Sequence, residues 1–162
     1  MPTLLSMCTE VLDDISSFVT PVYLFQNNDD TAKQLIAIAK KVGRELVRQD
    51  WRWNEKEATI TTVASTESYA LPSDFRCMIS ETMWNSTEEE PLYGQQTPTE
   101  WAVLKNYPIV TNDEYAFRIK GNLIYINPIP NSVMTLKYDY RSNSYCTNSL
   151  GVAQSEWLAD ND

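Results

Sequence analysis

The chain has 162 residues and a mass of 18.6 kDa, which is the size of one domain with at most a small appendage. Hydrophobic residues make up 43% and charged residues 22% of it, so the chain can bury a core and is not disordered throughout. It has no histidine and a net charge of −9, which excludes His-dependent triads and His-ligated metals and argues against general affinity for nucleic acid or anionic lipid.

The sequence offers no motif for a metal or a cofactor. Cys8, Cys77 and Cys146 are widely separated and form no CxxC pair, so we expect reduced thiols that act as packing residues. No glycine-rich phosphate loop is present. No apolar run approaches the roughly 20 residues of a membrane span, and the first residues lack the cationic segment of a signal peptide, so we expect neither membrane association nor secretion.

The first third of the chain has helical periodicity. Apolar residues spaced by three and four from Leu4 to Val19 predict a helix that ends before Pro21. A loop of turn-forming residues follows, and Thr31 opens a capping-box pattern that predicts a second helix to about Asp50. The second helix has an apolar stripe that we expect to face the protein core. It consists of Leu35, Ile38, Ala39, Val42 and Leu46.

Beyond Trp53 the period changes to two, which is typical of strands. Thr59–Val63 and Tyr69–Leu71 flank a polar turn and predict a hairpin, and Phe75–Trp84 predicts a further strand.

A short helix is then predicted from Thr97, because Pro98 and Glu100 complete a capping box, with Trp101 and Leu104 pointing inward. Three alternating segments after it predict strands, two of them joined at Gly121-Asn122: they are Tyr115–Lys120, Leu123–Ile126 and Val133–Tyr140.

These elements predict an α+β fold. We expect a helical hairpin over residues 1–56, an antiparallel sheet domain over 57–145 with a short helix near 97–106, and a C-terminal arm over 146–162.

Basic residues are concentrated at one place in this acidic chain. Lys40, Arg44, Arg48 and Arg52 recur every fourth residue and predict a cationic line on the second helix, which we call the basic ridge. One interpretation is an interface with an acidic neighbouring subunit, another protein or nucleic acid; the other is a solvated helix face.

Carboxylates and aromatic residues leave a second class of function open. Glycoside hydrolysis needs only two carboxylates, and Glu57 with Glu67, or Asp113 with Glu114, are candidates, although no spacing singles out one pair. The five Trp and nine Tyr residues could also stack on sugars, but alternating aromatic residues more often form core or interface.

Several segments occur in an order that is similar to one known family: Thr31–Ala39, Gly43–Leu46, Trp51, Ala58–Val63, Glu67–Phe75, Thr82–Asn85, Pro91–Gly94, Thr97–Trp101, Phe117–Ile119 and Asn127–Pro130. The most specific parts are Tyr-Ala-Leu-Pro-Ser-Asp-Phe, ending at Phe75, and Thr-Pro-x-Glu-Trp, ending at Trp101. From residue 31 to the end, the chain resembles head-to-tail adaptor (connector) proteins of tailed bacteriophages, of the short-tailed type.

This resemblance implies a non-enzymatic structural protein of the virion, located at the head–tail junction and assembled in the host cytoplasm. Copies of the chain, twelve by the same implication, would form a ring below the portal protein and extend the channel through which viral DNA passes during ejection. The lower surface would attach the tail nozzle or hub protein, and neither a cofactor nor a membrane is implied. The alternative is a tail-associated glycan-binding or cell-wall-degrading module.

Overall fold

The computed structural model describes residues 2–15, 21–106 and 114–160. Within these ranges the chain forms helices and antiparallel sheets, which confirms the predicted α+β fold. The helices are α1 (Leu4–Asp14), α2 (Asp30–Arg48) and α3 (Pro98–Asn106). The strands are β1 (Glu55–Thr61), β2 (Ser68–Ala70), β3 (Phe75–Met78), β4 (Trp84–Asn85), β5 (Glu90–Pro91), β6 (Ala116–Lys120), β7 (Leu123–Asn127), β8 (Thr135–Ser142), β9 (Cys146–Thr147) and β10 (Ala153–Gln154).

The chain divides into two compact units. The helical unit comprises Met1–Asn54 and Ser142–Asp162, and the sheet unit comprises Glu55–Arg141. The sheet unit begins in β1 and ends in β8, and these strands are antiparallel neighbours with Glu55 opposite Arg141. The C-terminal residues therefore belong to the same unit as the two N-terminal helices.

The sheet unit contains two sheets with a shared core. In the larger sheet the order is β1-β8-β4-β5, with β3 also pairing with β8, and in the smaller sheet the order is β2-β7-β6. Alternating burial along β8 places Leu136, Tyr138 and Tyr140 in the core, as a two-residue period requires. The remaining buried members of this core are Ile60, Leu71, Met83, Leu92, Phe117, Ile124, Ile126 and Met134.

The predicted hairpin of Thr59–Val63 with Tyr69–Leu71 is wrong. β1 pairs with β8, and β2 pairs with β7, so the two segments belong to different sheets. The buried Thr62 explains the divergence, because its hydroxyl donates to the Ser132 carbonyl at 3.0 Å and accepts from the Met134 amide at 2.7 Å. These bonds hold the end of β1 to the segment before β8 and leave it unavailable to β2.

Two local predictions are confirmed. Helix α3 begins in a capping box, in which the Thr97 amide donates to Glu100 Oε2 at 2.8 Å and the Glu100 amide donates to Thr97 Oγ1 at 3.3 Å. Strands β6 and β7 form the hairpin around Gly121, which has a φ of 61°. Glycine adopts this left-handed backbone conformation at little cost in free energy because it has no Cβ atom, which explains why the β6–β7 turn lies at Gly121.

The helical unit has a smaller core, formed by Leu4, Cys8, Leu24 and Ala32. Helix α1 is described to Asp14 and capped by Thr3, and the remainder of the predicted first helix, residues 16–20, lies outside the described residues. The predicted capping box at Thr31 is wrong, because α2 begins at Asp30 and its N-cap is Asp29, two residues before Thr31. The Asp29 amide donates to Asn27 Oδ1 at 3.0 Å, so an Asx turn fixes the start of the helix.

Candidate interaction surface around helix α2

Helix α2 buries only part of the apolar stripe that we expected to face the core: Leu35 and Ala39 are half-buried and pack against the core of the helical unit. Ile38, Val42 and Leu46 are 59%, 51% and 45% exposed, although we expected them to face the core. We call these three residues the outer stripe. The face that is buried or half-buried consists of Ala32, Leu35, Ile36, Ala39, Gly43 and Val47.

Gly43 accounts for this rotation of the helix. A Cβ atom at position 43 would overlap the ring of Tyr145, so the absence of a side chain lets the C-terminal segment pack directly on the helix backbone. The ring of Tyr145 in turn meets the indole of Trp157 edge-on, with ring centroids 6.0 Å apart and planes inclined by 66°. The buried side of α2 is therefore set by close approach of Ser142–Asp162, which is called the C-terminal arm from here on, rather than by the largest apolar side chains.

The first half of the basic ridge contacts the same arm. Glu156 Oε2 lies 3.3 Å from Lys40 Nζ, and Glu156 Oε1 lies 3.7 Å from Arg44 Nη1. Because α2 turns about 100° per residue, Lys40 and Arg44 lie on one flank of the buried face and the outer stripe lies on the other. The arm thus covers the cationic flank of α2 and leaves the apolar flank exposed.

The second half of the ridge is arranged differently. Arg48 is the last residue of α2, and its Nη1 lies 3.0 Å from Glu45 Oε1 of the same helix. Gln49 is extended, with a ψ of 148°, and Arg52 lies in a 3-10 turn that follows. The helical four-residue spacing therefore does not reach Arg52, and the interface role of Lys40, Arg44, Arg48 and Arg52 stays a prediction.

The end of the arm is held to the N-terminal half of the helical unit by Asp160. Its Oδ1 accepts hydrogen bonds from the amides of Leu24 and Phe25 at 2.8 and 3.0 Å, and its carbonyl accepts one from the Leu5 amide at 3.3 Å. Burial, and next the charge of Asp160, raise the pKa of the Cys8 thiol. Cys8 is consequently a protonated packing residue rather than an activated nucleophile.

Sequence reasoning did not identify Tyr145, Glu156, Trp157 or Asp160 as parts of this surface. The contacts of Tyr145, Glu156 and Asp160 with the N-terminal helices and loop join residues more than 100 positions apart, which helical or strand periodicity cannot report. The one available signal was Gly43, since a glycine inside a helix costs about 1 kcal/mol relative to alanine and therefore indicates a packing constraint.

The carboxylates considered for catalysis are engaged elsewhere. Glu57 lies 3.4 Å from Lys137, and Glu67 lies 2.5 Å from Lys105, so each forms an ion pair with lysine. Asp113 lies outside the described residues, and Glu114 lines an open cleft beside α3. In that cleft the hydrogen bonds from Thr97 lower the pKa of Glu100, which is opposite to the shift that a general acid requires.

The described residues contain no cluster of three or more acidic or cysteine side chains able to hold a metal ion. Across the same residues, no helix is sufficiently long and apolar to span a bilayer.

The family model described as "SU10 adaptor protein" matches residues 2–160, nearly the whole chain. A search of curated proteins found no match.

Proposed function

Because the chain belongs to the SU10 adaptor protein family, a family of bacteriophage adaptors, we propose that it forms a ring of twelve copies below the portal protein. In this position it extends the channel for viral DNA and presents its lower surface to the tail nozzle or hub protein. The family match over residues 2–160 carries this proposal, since it includes both the helical and the sheet unit.

The exposed surface of the helical unit supports a role in assembly. Large hydrophobic side chains that are more than half exposed occur in both N-terminal helices, and Leu150 and Leu158 of the C-terminal segment are 86% and 61% exposed. Contiguous exposed apolar side chains, as in the outer stripe, are characteristic of surfaces that bind other proteins. A net charge of −9 per copy also suits a channel through which DNA slides, because like charge opposes adhesion.

The proposal is tested by mixing the purified chain with portal protein from the same phage. We expect a complex whose mass and electron-microscopic symmetry correspond to a ring on the portal, whereas the chain alone sediments mainly as a monomer because its net charge opposes closure. A failure to bind the portal would contradict the proposal. Cleavage of peptidoglycan by the same preparation would favour the alternative of a cell-wall-degrading module.

We also propose that the basic ridge contributes to the contact with the adjacent copy or the portal. The double variant Arg44→Glu/Arg48→Glu should reduce ring formation while leaving the monomer folded, since exposed helix positions change stability by only about 0.5 kcal/mol. Arg44 also meets Glu156, so Glu156→Gln is the matched control that removes the contact with the arm alone. If the double variant assembled normally, the basic ridge would be a solvated helix face with no role in the interface.

A further inference from the structure

Strand β1 lies at an edge of the larger sheet, and one side of its backbone is unpaired. It pairs with β8 along all seven of its residues, from Glu55 to Thr61, and with no other strand that the structure describes. A strand at an edge presents a row of amide and carbonyl groups, and such a row can pair with an extended segment of another chain.

The bonds of β8 show which groups of β1 point outward. In an antiparallel pair, successive residues point their backbone groups alternately toward and away from the partner strand. Asp139, which lies opposite Glu57, accepts a hydrogen bond from the Ile79 amide at 2.9 Å, on the side of β8 that faces away from β1. The amides and carbonyls that point outward therefore belong to four exposed residues: Glu55, Glu57, Thr59 and Thr61.

A side chain closes one end of this outward row. Val63 is next in the alternation after Thr61, and its amide donates to the Tyr69 hydroxyl at 3.1 Å. By contrast, no hydrogen bond from residues 2–15, 21–106 or 114–160 engages the backbone groups of the four outward residues. We call these four residues the open edge.

Other sheet edges of the same unit are short or covered. Strand β5 has two residues and ends at Pro91, which has no amide N–H to donate. Strand β2 has three residues. Along β6, the Phe117 amide donates to the Tyr93 carbonyl at 2.9 Å, so the segment around Tyr93 covers that edge. Among the described strands, β1 therefore offers the longest unpaired edge.

Two apolar side chains lie at the end of the open edge. The Thr62 amide donates to the Met134 carbonyl at 2.8 Å, which continues the β1–β8 ladder by one residue. Val63 and Val133 come next on the two chain segments, and both are more than half exposed. An added strand could therefore gain an apolar contact here besides its main-chain hydrogen bonds.

A second copy of this chain does not supply the missing strand. No other described strand has an open edge of comparable length, so a second copy could offer only its own β1. Pairing of β1 with β1 is isologous and joins two copies about a two-fold axis, whereas copies that all face one way around a channel meet through heterologous contacts. Because the basic ridge of the helical unit is proposed to meet the next copy or the portal, the tail protein is the partner left for the sheet unit.

We propose that the open edge of β1 binds an extended segment of the tail nozzle or hub protein, which adds to the larger sheet as a further antiparallel strand. This inference rests on the proposed function and names the surface that attaches the tail. The segment carries an apolar residue near its N-terminal end, opposite Val63, and no proline that would interrupt the hydrogen bonds. It lacks acidic residues opposite Glu55 and Glu57, because like charges directly opposite one another are destabilising.

Thr59→Pro tests this pairing, because it removes an outward N–H and leaves the β1–β8 hydrogen bonds in place, and proline is tolerated at such edge positions. The variant should fold and form rings on the portal, but its rings should bind the purified tail nozzle or hub protein at least about tenfold more weakly than wild-type rings do. Thr59→Val keeps the amide and is the matched control, with wild-type binding expected. Full tail binding by Thr59→Pro rings would overturn the inference and leave the proposed function standing.

Hydrogen exchange tests the pairing without any variant. In the free chain, the outward amides of Glu57, Thr59 and Thr61 should exchange faster than those of Ala58 and Ile60, which point toward β8. Binding of the tail protein to wild-type rings should slow the exchange of the three outward amides by at least about tenfold. Tail binding without this protection, or no tail binding at all, would overturn the inference. If the chain failed to bind the portal, the same measurement on the free chain with the tail protein would still decide it.

Discussion

The two units of this chain solve the problem of burying apolar surface in different ways. The sheet unit gathers eleven buried residues into one cluster, whereas the core cluster of the helical unit has four. Among the described residues, the helical unit exposes twelve large hydrophobic side chains and the sheet unit seven, although the sheet unit is longer. The sheet unit is therefore the self-contained scaffold, and the helical unit is the one whose surface suits partners.

The difference arises from the elements themselves. Strand β8 has neighbours on both edges and alternates between core and exterior, so each inward side chain finds a place in the core. Helix α2 has apolar residues over about half of its circumference, and the C-terminal arm covers one flank only. The outer stripe consists of apolar residues of α2 that the arm does not cover.

The largest expected effect is in the core of the sheet unit. Leu136→Ala removes a fully buried side chain near the start of β8, and we expect a loss of about 2–5 kcal/mol in the free energy of unfolding. Urea denaturation followed by circular dichroism measures it. The matched change in the outer stripe, Ile38→Ala, should cost no more than about 0.5 kcal/mol because Ile38 is 59% exposed. Equal losses would show that the stripe behaves as core.

The parts of the fold that could be predicted from the sequence are those that depend on neighbouring residues. The α3 cap and the β6–β7 turn depend on residues within four positions of one another, and both were predicted correctly. The β1–β8 pairing joins residues up to 86 positions apart, and a polar turn between β1 and β2 suggested a nearer partner. Alternation identifies a strand but carries no information about which strand lies beside it.

The surface around α2 was predicted only in part. The concentration of basic residues was evident, but the buried side of the helix was assigned to its largest apolar residues. The arm shifts the buried side away from the outer stripe, because Tyr145 packs at Gly43 and Glu156 binds Lys40. Helical periodicity reports that a helix is amphipathic, and it cannot choose between two apolar flanks when a distant segment covers one of them.

Gly43→Ala tests whether the arm defines the buried side of α2. Helix propensity alone would make alanine about 1 kcal/mol more stable. The overlap of its Cβ with the Tyr145 ring should instead destabilise the protein by about 1–3 kcal/mol, which urea denaturation can measure. The control repeats the change in a Tyr145→Ala background, where alanine at position 43 should stabilise. Stabilisation in the parent chain as well would contradict the packing that the structure shows.

The third effect concerns the sheet unit alone. Thr97→Ala removes the cap of α3 and should cost about 1 kcal/mol, measured by urea denaturation at pH 7. The cap lowers the pKa of Glu100 below its ordinary value of 4.5, so its contribution is fully present above that value and is lost as the pH falls through the lower folded pKa. Glu100→Gln should accordingly weaken the pH dependence in this range. If the acid dependence of stability were the same in Glu100→Gln as in the parent chain, the cap would not be its cause.

The smallest expected effect separates electrostatic attachment of the arm from its packing. Glu156→Gln removes the charge that faces Lys40 and Arg44, and because these side chains are 25% and 57% exposed we expect a loss of less than about 1 kcal/mol. The loss should shrink as salt is raised to about 1 M, since screening already weakens the pair in the parent chain. Glu10→Gln, which alters an exposed α1 carboxylate of the same unit, is the control and should change stability less. A loss well above about 1 kcal/mol for Glu156→Gln that falls as salt is raised would mean that the charge pair, rather than the seating of Tyr145 at Gly43, holds the arm on α2.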